Sequence, residues 1–209
     1  ATLTSLGNFN YFRRQVGLLN DESTQHLQLN SPFEFEQAEL YIPNLALAPN
    51  EQGFTELLAE KIPSLLPDKK ASLVLFSSYR QMNQVAEMIR SSTKLELLVQ
   101  KESSRSEQLQ KHAENVKANK TSILFGTSSL SEGLDLPGEL LTNLIITKIP
   151  FSVPTSPVEE AQSEWITKSG GNPFMQVSVP EASKKLIQSC GRLLRKEKDS
   201  GRITLLDRR

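Results

Sequence analysis

Leu73-Val74-Leu75-Phe76 is an unbroken apolar run, and the polar stretch Ser77-Ser78-Tyr79 follows it directly. A short apolar run with polar residues beyond it is typical of a strand that is buried on both faces of a parallel sheet. The amphipathic stretches on either side, residues 54–66 and 79–89, predict helices. This part of the chain therefore indicates a helix, a buried strand and a second helix, which is the repeating unit of an α/β fold.

The same alternation continues along the rest of the chain. The sequence predicts further strands at 38–42, 95–99, 123–125, 141–147 and 202–206, and further helices at 9–16, 107–118, 156–168 and 180–195. Asn8 is the predicted N-cap of the first helix. Strands that alternate with helices favour a doubly wound, mostly parallel sheet with helices on both faces. In such sheets, ligands bind beyond the carboxyl ends of the strands.

Composition limits the classes of function. The chain has 209 residues, with 24 Lys and Arg against 24 Asp and Glu, so its net charge is zero and nucleic-acid binding would need a local basic patch. No apolar run is long enough to span a bilayer. Cys190 is the single cysteine, which excludes an internal disulfide and a cysteine cage for a metal within this chain. We expect no membrane partner and a reducing, cytoplasmic location.

The first stretch that indicates chemistry runs from residue 188 to 195. Arg192 and Arg195 are three residues apart, which places them on one side of the predicted helix. Each guanidinium offers a planar fork of donors and a permanent charge, which suits phosphate. Gly191 allows another backbone to come close, and Gln188 can orient a water molecule or accept a hydrogen bond from an arginine. The pattern predicts a phosphate-binding element.

The second such stretch, residues 126–138, follows a predicted buried strand. It offers the hydroxyls of Thr127 and Ser128, backbone amides next to glycines, and the acids Glu132 and Asp135. Hydroxyls and amides suit nucleic-acid phosphates, and an aspartate suits ribose hydroxyls or an arginine. Taken alone, this stretch is more simply interpreted as a glycine-rich turn with a serine cap.

The two stretches together resemble a known family. Thr127, Gly133 and Asp135, followed by Gln-x-x-Gly-Arg-x-x-Arg at 188–195, resemble motifs V and VI of the second RecA-like domain of superfamily 2 helicases. The strand that opens into Ser77-Ser78-Tyr79 is similar to the phosphate-contacting loops of that domain. Further stretches resemble the DinG and XPD group, most of them its bacterial DinG branch: Ala1-Thr2-Leu3, Ser31-Pro32-Phe33, 131–135, Lys148-Ile149-Pro150-Phe151, Ser156-Pro157 and Asp207-x-Arg209.

The resemblance implies a fragment of an ATP-dependent DNA helicase. Residues 1–50 would connect from a preceding helicase domain through a short helix, a loop and one strand, and residues 51–209 would form the second RecA-like domain. The family is damage-inducible, moves 5′-to-3′ on single-stranded DNA and is expected to be monomeric here. ATP and Mg²⁺ would be shared with the preceding domain, which alone would carry a 4Fe–4S cluster. Since no Walker A sequence and no set of cluster cysteines occur here, we expect this chain alone to be inactive.

Residue roles also follow from the resemblance. Arg192 and Arg195 would reach the triphosphate as catalytic residues, with Gln188 beside the γ-phosphate. The residues on the nucleotide side would be Asp135, Glu132, Gly133 and Gly191. The residues on the DNA side would be Ser77, Ser78, Tyr79, Thr127, Ser128 and Phe151, although Phe151 is equally well explained as a core residue. No metal ligand is predicted. Without nucleotide, the two arginines are expected to rest against acids such as Asp135 or to point into solvent.

Other residues are expected to have structural roles. Trp165 is predicted to pack in the core, and Cys190 to be a small buried apolar residue. His26 and His112 are predicted to lie on the surface. The lysines are predicted to form a solvated helix face more readily than a DNA track: Lys101, Lys111, Lys117 and Lys120.

Three alternatives stay open at this point. The chain could belong to a related helicase that acts on RNA. It could be the motor-like domain of a DinG-family nuclease. It could also be a non-catalytic α/β module that binds nucleic acid, or one whose arginines bind a protein partner.

Overall fold

The computed structural model describes residues 3–18, 24–29, 35–131, 133–152, 156–196 and 198–209. Contacts divide the chain into two compact units, of which the first combines Ala1–Ser31 with Pro150–Gln188 and the second combines Pro32–Ile149 with Ser189–Arg209. Glu132, Ala1-Thr2 and Ser31-Pro32-Phe33 lie outside the described residues. The boundary after residue 50, between a connecting segment and a helicase domain, stays a prediction.

The second unit is built on one sheet, which has six strands in the described part of the chain. The strands are β1 (Ala38–Tyr41), β2 (Ala71–Phe76), β3 (Leu97–Val99), β4 (Ser122–Thr127), β5 (Asn143–Ile146) and β6 (Gly201–Leu205). Their order is β1-β6-β5-β2-β4-β3, and every neighbouring pair is parallel. The predicted doubly wound, mostly parallel sheet is confirmed, and the described sheet is parallel throughout.

β2 is central because its residues are apolar on both faces. All six of its residues are buried, and it pairs with β4 on one side and with β5 on the other. β4 and β5 are buried along their whole length as well. A strand can be apolar on both sides only where helices cover both faces of the sheet.

The helices of the second unit are α2 (Phe54–Ser64), α3 (Tyr79–Ser92), α4 (Arg105–Lys117) and the single turn α5 (Ser128–Ser131). α2 and α3 bury residues at helical spacing on the face of the sheet that carries Val74 and Phe76. α4 lies on the opposite face, where its His112 bonds Ser122 of β4. The predicted helices on both faces are therefore present.

The first unit contains α1 (Asn10–Val16), α6 (Pro157–Lys168), a π-helix at Phe174–Ser178 and most of α7 (Val179–Cys190). The N-cap of α1 is Phe9, so the predicted cap is wrong by one residue; the Asn8 side chain instead accepts from the Asn10 N–H at 3.0 Å. The Tyr11 hydroxyl bonds the Glu181 carboxylate at 2.7 Å and thereby joins α1 to α7. No helix in the described residues is long and apolar enough to cross a membrane.

The predicted helix over 180–195 is wrong at its C-terminal end. α7 ends at Cys190, and the backbone N–H groups of Arg192 and Leu193 bond carbonyls three residues back, as in a tight turn. Glycine is a poor helix former, which explains why the helix stops before Gly191. Arg192 and Arg195 are therefore presented by a turn and not by a helix face.

Two predictions of burial are also wrong. Trp165 was predicted to pack in the core, but it is 68% exposed on α6, because its helix buries Ile166 instead. His112 was predicted to lie on the surface, but it is fully buried, whereas His26 is exposed as predicted. Cys190 is half-buried, and this burial raises the pKa of its thiol to about 11.

His112 is tolerated in the interior because both ring nitrogens have partners. Nδ1 lies 2.8 Å from the Ser122 hydroxyl, and Nε2 lies 2.8 Å from the Leu140 carbonyl oxygen. A buried imidazole with two partners does not carry the cost of an unpaired polar group. Burial lowers the pKa of His112 below its usual range, so the folded protein holds the neutral ring.

We expect His112 to make the stability of the chain depend on pH. Below about pH 6.5 the histidine is protonated in the unfolded chain but stays neutral in the folded chain. The free energy of unfolding should therefore fall as the pH drops from neutrality through that range. The measurement is the thermal midpoint of the wild-type chain at pH 7.5 and pH 5.5, compared with His112→Gln, in which most of this decrease should vanish. His26→Gln is the matched control and should retain the decrease; an equal pH dependence in all three proteins would contradict the prediction.

Candidate nucleotide and nucleic-acid site

The loop predicted at residues 126–138 begins two residues later in the structure, at Ser128. β4 continues through Gly126 to Thr127, where the predicted strand stopped at Phe125, and α5 starts at Ser128. Gly133 and Gly138 have φ values of +64° and +61°, a left-handed conformation that glycine adopts without strain. The chain between them belongs to the connection from the carboxyl end of β4 to the amino end of β5.

The two motif arginines meet at one backbone oxygen of this loop. Arg192 Nη1 donates to the Leu134 carbonyl at 3.3 Å, and Arg195 Nη2 donates to the same oxygen at 2.8 Å. Arg195 Nε lies 4.0 Å from Asp135 Oδ1, so the expected contact with this acid is present at Arg195. Asp135 is well exposed, and an ion pair of this length at the surface contributes little to stability.

Asp199 was not predicted as a site residue, yet it joins the two motif stretches. Its Oδ2 accepts the backbone N–H groups of Arg195 and Lys196, both at 2.8 Å, and its Oδ1 accepts the Gly138 N–H at 3.1 Å. The carboxylate is buried, with 5% exposure. Asp followed by Ser and Gly is a turn signal, but the sequence does not reveal that the turn holds a segment 61 residues away.

A second buried carboxylate lies after β6. Asp207 accepts the Ile149 N–H at 2.9 Å, and it receives Arg209 Nε and Nη2 at 3.0 and 2.7 Å. Burial alone would raise the pKa of Asp207, but the hydrogen bonds from Arg209 and Ile149 outweigh it and hold the pKa below its usual range. This pair connects Ile149, directly after β5, to the Asp207-x-Arg209 stretch.

Beyond the ends of β2, β4 and β3, polar side chains form a second cluster. Gln100 Oε1 accepts the Thr127 backbone N–H at 2.8 Å and the Thr127 hydroxyl at 3.1 Å. Gln100 Nε2 donates to the Tyr79 hydroxyl at 3.2 Å and to the Ser129 hydroxyl at 3.1 Å. Tyr79 and Thr127 were predicted here, whereas Ser129, although inside the 126–138 stretch, was not predicted as a site residue, and Gln100 lies outside every motif stretch.

Lys101 stands beside this cluster, with Nζ 3.8 Å from the centroid of the Tyr79 ring. It occupies the turn after β3 and not the solvated helix face that was predicted for it, since α4 begins only at Arg105. Hydrogen bonds from Ser129 and Thr127 lower the pKa of Tyr79, and the neighbouring ammonium acts in the same direction. The cluster therefore combines one positive charge with three hydroxyls.

The other predicted residues have less specific surroundings. Ser77, Ser78 and Ser128 are exposed, and the Ser78 hydroxyl caps α3 by accepting from the Gln81 N–H at 3.3 Å. Gly191 is exposed in the turn after α7. The last two predicted residues, Gln188 and Phe151, belong to the first unit. Gln188 is exposed in the last turn of α7, and the ring of Phe151 lies 5.2 Å from that of Phe174.

Comparison with known families agrees with this arrangement. Residues 63–209 match the family described as the helicase C-terminal domain. The chain belongs to this family. The matched range contains both motif stretches, Asp199, Gln100 and Asp207, so the clusters described above are features of a helicase C-terminal domain.

Relatives of this helicase domain bear out the resemblance to the DinG branch. Over its whole length the chain is 62% identical to the ATP-dependent DNA helicase DinG of Photobacterium profundum, of which it covers 31%. It is 34% identical to the protein of the same name from Escherichia coli K12, of which it covers 30%. The chain thus spans less than a third of the length of these relatives.

Two solved structures show the fold of the domain. The structure of an XPD helicase matches with a TM-score of 0.61 at 19% identity, covering 81% of this chain and 31% of that one. The structure of S. tokodaii Xpd4 matches with a TM-score of 0.60 at 17% identity, covering 90% of this chain and 37% of that one. At these identities the likeness establishes the RecA-like fold alone.

We expect Asp199→Ala to destabilise the helicase domain, because three backbone N–H groups lose their acceptor. The loss should be about 3 kcal/mol in the free energy of unfolding, measured by urea denaturation of the chain. Asp199→Asn keeps one acceptor oxygen and should lose less. Glu139→Gln changes an exposed carboxyl next to Gly138 and should stay within about 0.5 kcal/mol of wild type. Equal stability of Asp199→Ala and Glu139→Gln would show that the buried carboxylate does not hold the two segments.

Proposed function

We propose that this chain is the second motor domain of an ATP-dependent DNA helicase. The observation that carries the proposal is the convergence of Arg192 and Arg195 on the Leu134 carbonyl, inside the loop that ends at Gly138. Two guanidinium groups held side by side at the loop between β4 and β5 form an arrangement suited to a polyphosphate. The names of the bacterial relatives, ATP-dependent DNA helicases, support the same activity for the complete polypeptide.

The contacts of Arg195 with Leu134 and Asp135 are weaker than those that it would make with phosphate. Leu134 offers a neutral carbonyl, and the Asp135 carboxylate is exposed and 4.0 Å away. Hydrogen bonds to an anionic phosphate are about twice as strong as those to a neutral acceptor. In our proposal the guanidinium groups leave the carbonyl when the triphosphate of ATP arrives and stabilise the charge that develops during hydrolysis.

The remaining residues on the nucleotide side have supporting roles in this proposal. Asp135 either contacts the ribose or returns an arginine to its resting position after product release. Gln188 lies beside the γ-phosphate, and Glu132 links the nucleotide side to the DNA side. Gly133 and Gly191 allow the backbone to approach the ligand closely.

The metal and the cluster belong elsewhere in this scheme. Among the residues that the structure describes, no three His, Cys, Asp or Glu side chains are grouped as a metal ion would require. As the family resemblance implies, we assign Mg²⁺, together with the main ATP site, and a 4Fe–4S cluster to a preceding helicase domain. The contribution of this chain is its pair of arginines and part of the DNA track.

The DNA side of the proposal is the carboxyl edge formed by β2, β4 and β3. Single-stranded DNA would pass over Ser77, Ser78, Tyr79 and the residues near Thr127 and Ser128, with Phe151 as a stacking surface. We further propose 5′-to-3′ movement, a role in DNA repair, a monomeric state and a location in the bacterial cytoplasm. ATP binding would close the two helicase domains and hydrolysis would open them, which advances the strand.

We expect Arg195→Ala in the complete polypeptide to reduce kcat for DNA-stimulated ATP hydrolysis by about 100-fold or more, with little change in KM for ATP. The reason is that the arginine acts on charge that develops in the transition state. Arg192→Ala should have an effect of the same kind. Arg195→Lys should also be impaired, since lysine lacks the planar fork. The measurement is steady-state ATP hydrolysis with and without single-stranded DNA.

The matched control is Arg202→Ala. Arg202 lies at the amino end of β6, where it pairs with the exposed Glu39, and its loss should leave kcat within about twofold of wild type. Normal hydrolysis by Arg195→Ala would favour a non-catalytic binding module. Stimulation by RNA at the expense of DNA, measured in a competition between the two strands, would favour an RNA helicase.

A further inference from the structure

We infer that Lys101, Ser129 and Tyr79 form a subsite for one phosphate of a nucleic-acid strand, with Gln100 as its positioning residue. The inference rests on the proposed function, and it names which groups of the carboxyl edge face the strand. It also moves the contact away from Thr127, to which the resemblance assigned it. Gln100, Lys101 and Ser129 all lie outside the predicted site.

The carboxamide of Gln100 can have only one orientation. A backbone N–H always donates, so the atom that receives the Thr127 N–H must be Oε1. The amide nitrogen then faces the hydroxyl oxygens of Tyr79 and Ser129, to which it donates. The Gln100 backbone N–H is itself bonded to the Phe125 carbonyl at 2.9 Å, which ties the residue to the end of β4.

This orientation decides which hydroxyls can serve a ligand. The Thr127 hydroxyl gives its proton to Gln100 Oε1, and Thr127 is only 6% exposed, so it is poorly placed to reach a strand. The hydroxyls of Tyr79 and Ser129 lie 2.9 Å apart. One of their two protons makes that bond, and the other is given to the Thr127 hydroxyl, which lies 3.0 Å from that of Ser129, until an anionic acceptor replaces this neutral one. Both hydroxyl oxygens already accept hydrogen bonds from the Gln100 amide, and this polarises their O–H groups. The proton that is not used between them is therefore a good donor to an anionic oxygen.

Lys101 adds the charge that the two hydroxyls lack. Its ammonium lies over the Tyr79 ring, next to the tyrosine and serine hydroxyls. Its φ of +76° is uncommon for a residue with a side chain, and such strain is often retained at functional positions. The nearest acid in the chain, Glu102, is already paired with both Nη atoms of Arg90 at 2.6 and 2.7 Å. The positive charge of Lys101 is therefore not neutralised by that neighbour.

Phosphate is the ligand that this chemistry favours. Lysine ammonium and Ser or Tyr hydroxyls are common partners of phosphate oxygens in nucleic-acid complexes, and they carry no base preference. The cluster also lies beyond the carboxyl ends of three parallel strands, where ligands of α/β sheets bind.

The test measures the affinity of the complete polypeptide for a fluorescent oligothymidylate over a range of salt concentrations. Each phosphate contact with single-stranded DNA contributes about 0.7 to the slope of log K against log salt. Lys101→Gln should therefore reduce that slope by about 0.7 and weaken binding. Lys117→Gln, which removes an equally exposed lysine from the end of α4, should leave the slope unchanged.

Gln100→Glu tests whether Gln100 positions the hydroxyls of Tyr79 and Ser129 or only stabilises the fold. The glutamate keeps an acceptor for Thr127 but cannot donate to Tyr79 and Ser129. We expect about a tenfold weaker affinity for the oligonucleotide, with the thermal midpoint of unfolding retained. A fall in affinity that only follows a fall in the unfolding midpoint would assign Gln100 a purely structural role and overturn its positioning role.

The outcomes separate the subsite from the proposed function. If the wild-type protein shows DNA-stimulated ATP hydrolysis and Lys101→Gln keeps the wild-type salt slope, the subsite is wrong and the proposed function stands. A raised KM for ATP with unchanged oligonucleotide affinity would assign the cluster to nucleotide and also overturn the subsite. If the wild-type protein binds no strand, both proposals fail together.

Discussion

The parallel pairing of β2 with β4 and β5 is the constraint on which the candidate site depends. Phe76 is in register with Thr127, and Leu75 with Ile146, so these strands end at one edge of the sheet. The chain leaves each strand at that edge and must turn there, which brings the polar residues after each strand together. The pairing is stabilised by burial of apolar side chains on both faces, because each fully buried Leu or Phe contributes about 1.5–3 kcal/mol.

Polar side chains then hold the loops at both ends of the strands, because Gln100 and Asp207 follow β3 and β6, whereas Asp199 precedes β6. Gln100 bonds three residues that are distant in sequence, whereas Asp199 and Asp207 each accept one distant backbone N–H and further donors close in sequence. An unpaired buried polar atom would cost about 1–3 kcal/mol, so such a side chain strongly selects the loop conformation that satisfies it. These hydrogen bonds therefore favour one conformation of each loop.

The sequence alone predicted the features that depend on local pattern. The buried run at Leu73 indicated β2, and the order of strands and helices indicated the parallel sheet. Contact of the motif arginines with acids such as Asp135 was one of two expected arrangements, the other being that they point into solvent. Features that depend on distant partners were not predicted. His112 is buried because Ser122 and Leu140 satisfy its ring, and Asp199 and Gln100 act on residues that no local pattern connects to them. Trp165 was assigned to the core from helical spacing, but spacing identifies a face of a helix and does not say which face is covered.

Arg209 and Arg195 differ in how strongly their present partners hold them. Arg209 makes two hydrogen bonds to the buried Asp207 carboxylate. If Arg209 moved to another anion, the negative charge of Asp207 would be left buried and unpaired. Arg195 instead rests on a neutral carbonyl and lies 4.0 Å from an exposed acid, so leaving these partners exposes no buried charge. An anion that arrives at the turn can therefore recruit Arg195 at small cost, whereas Arg209 stays in place. In the proposed function, the weakness of these contacts would suit Arg195 to a ligand that binds and leaves in every catalytic cycle.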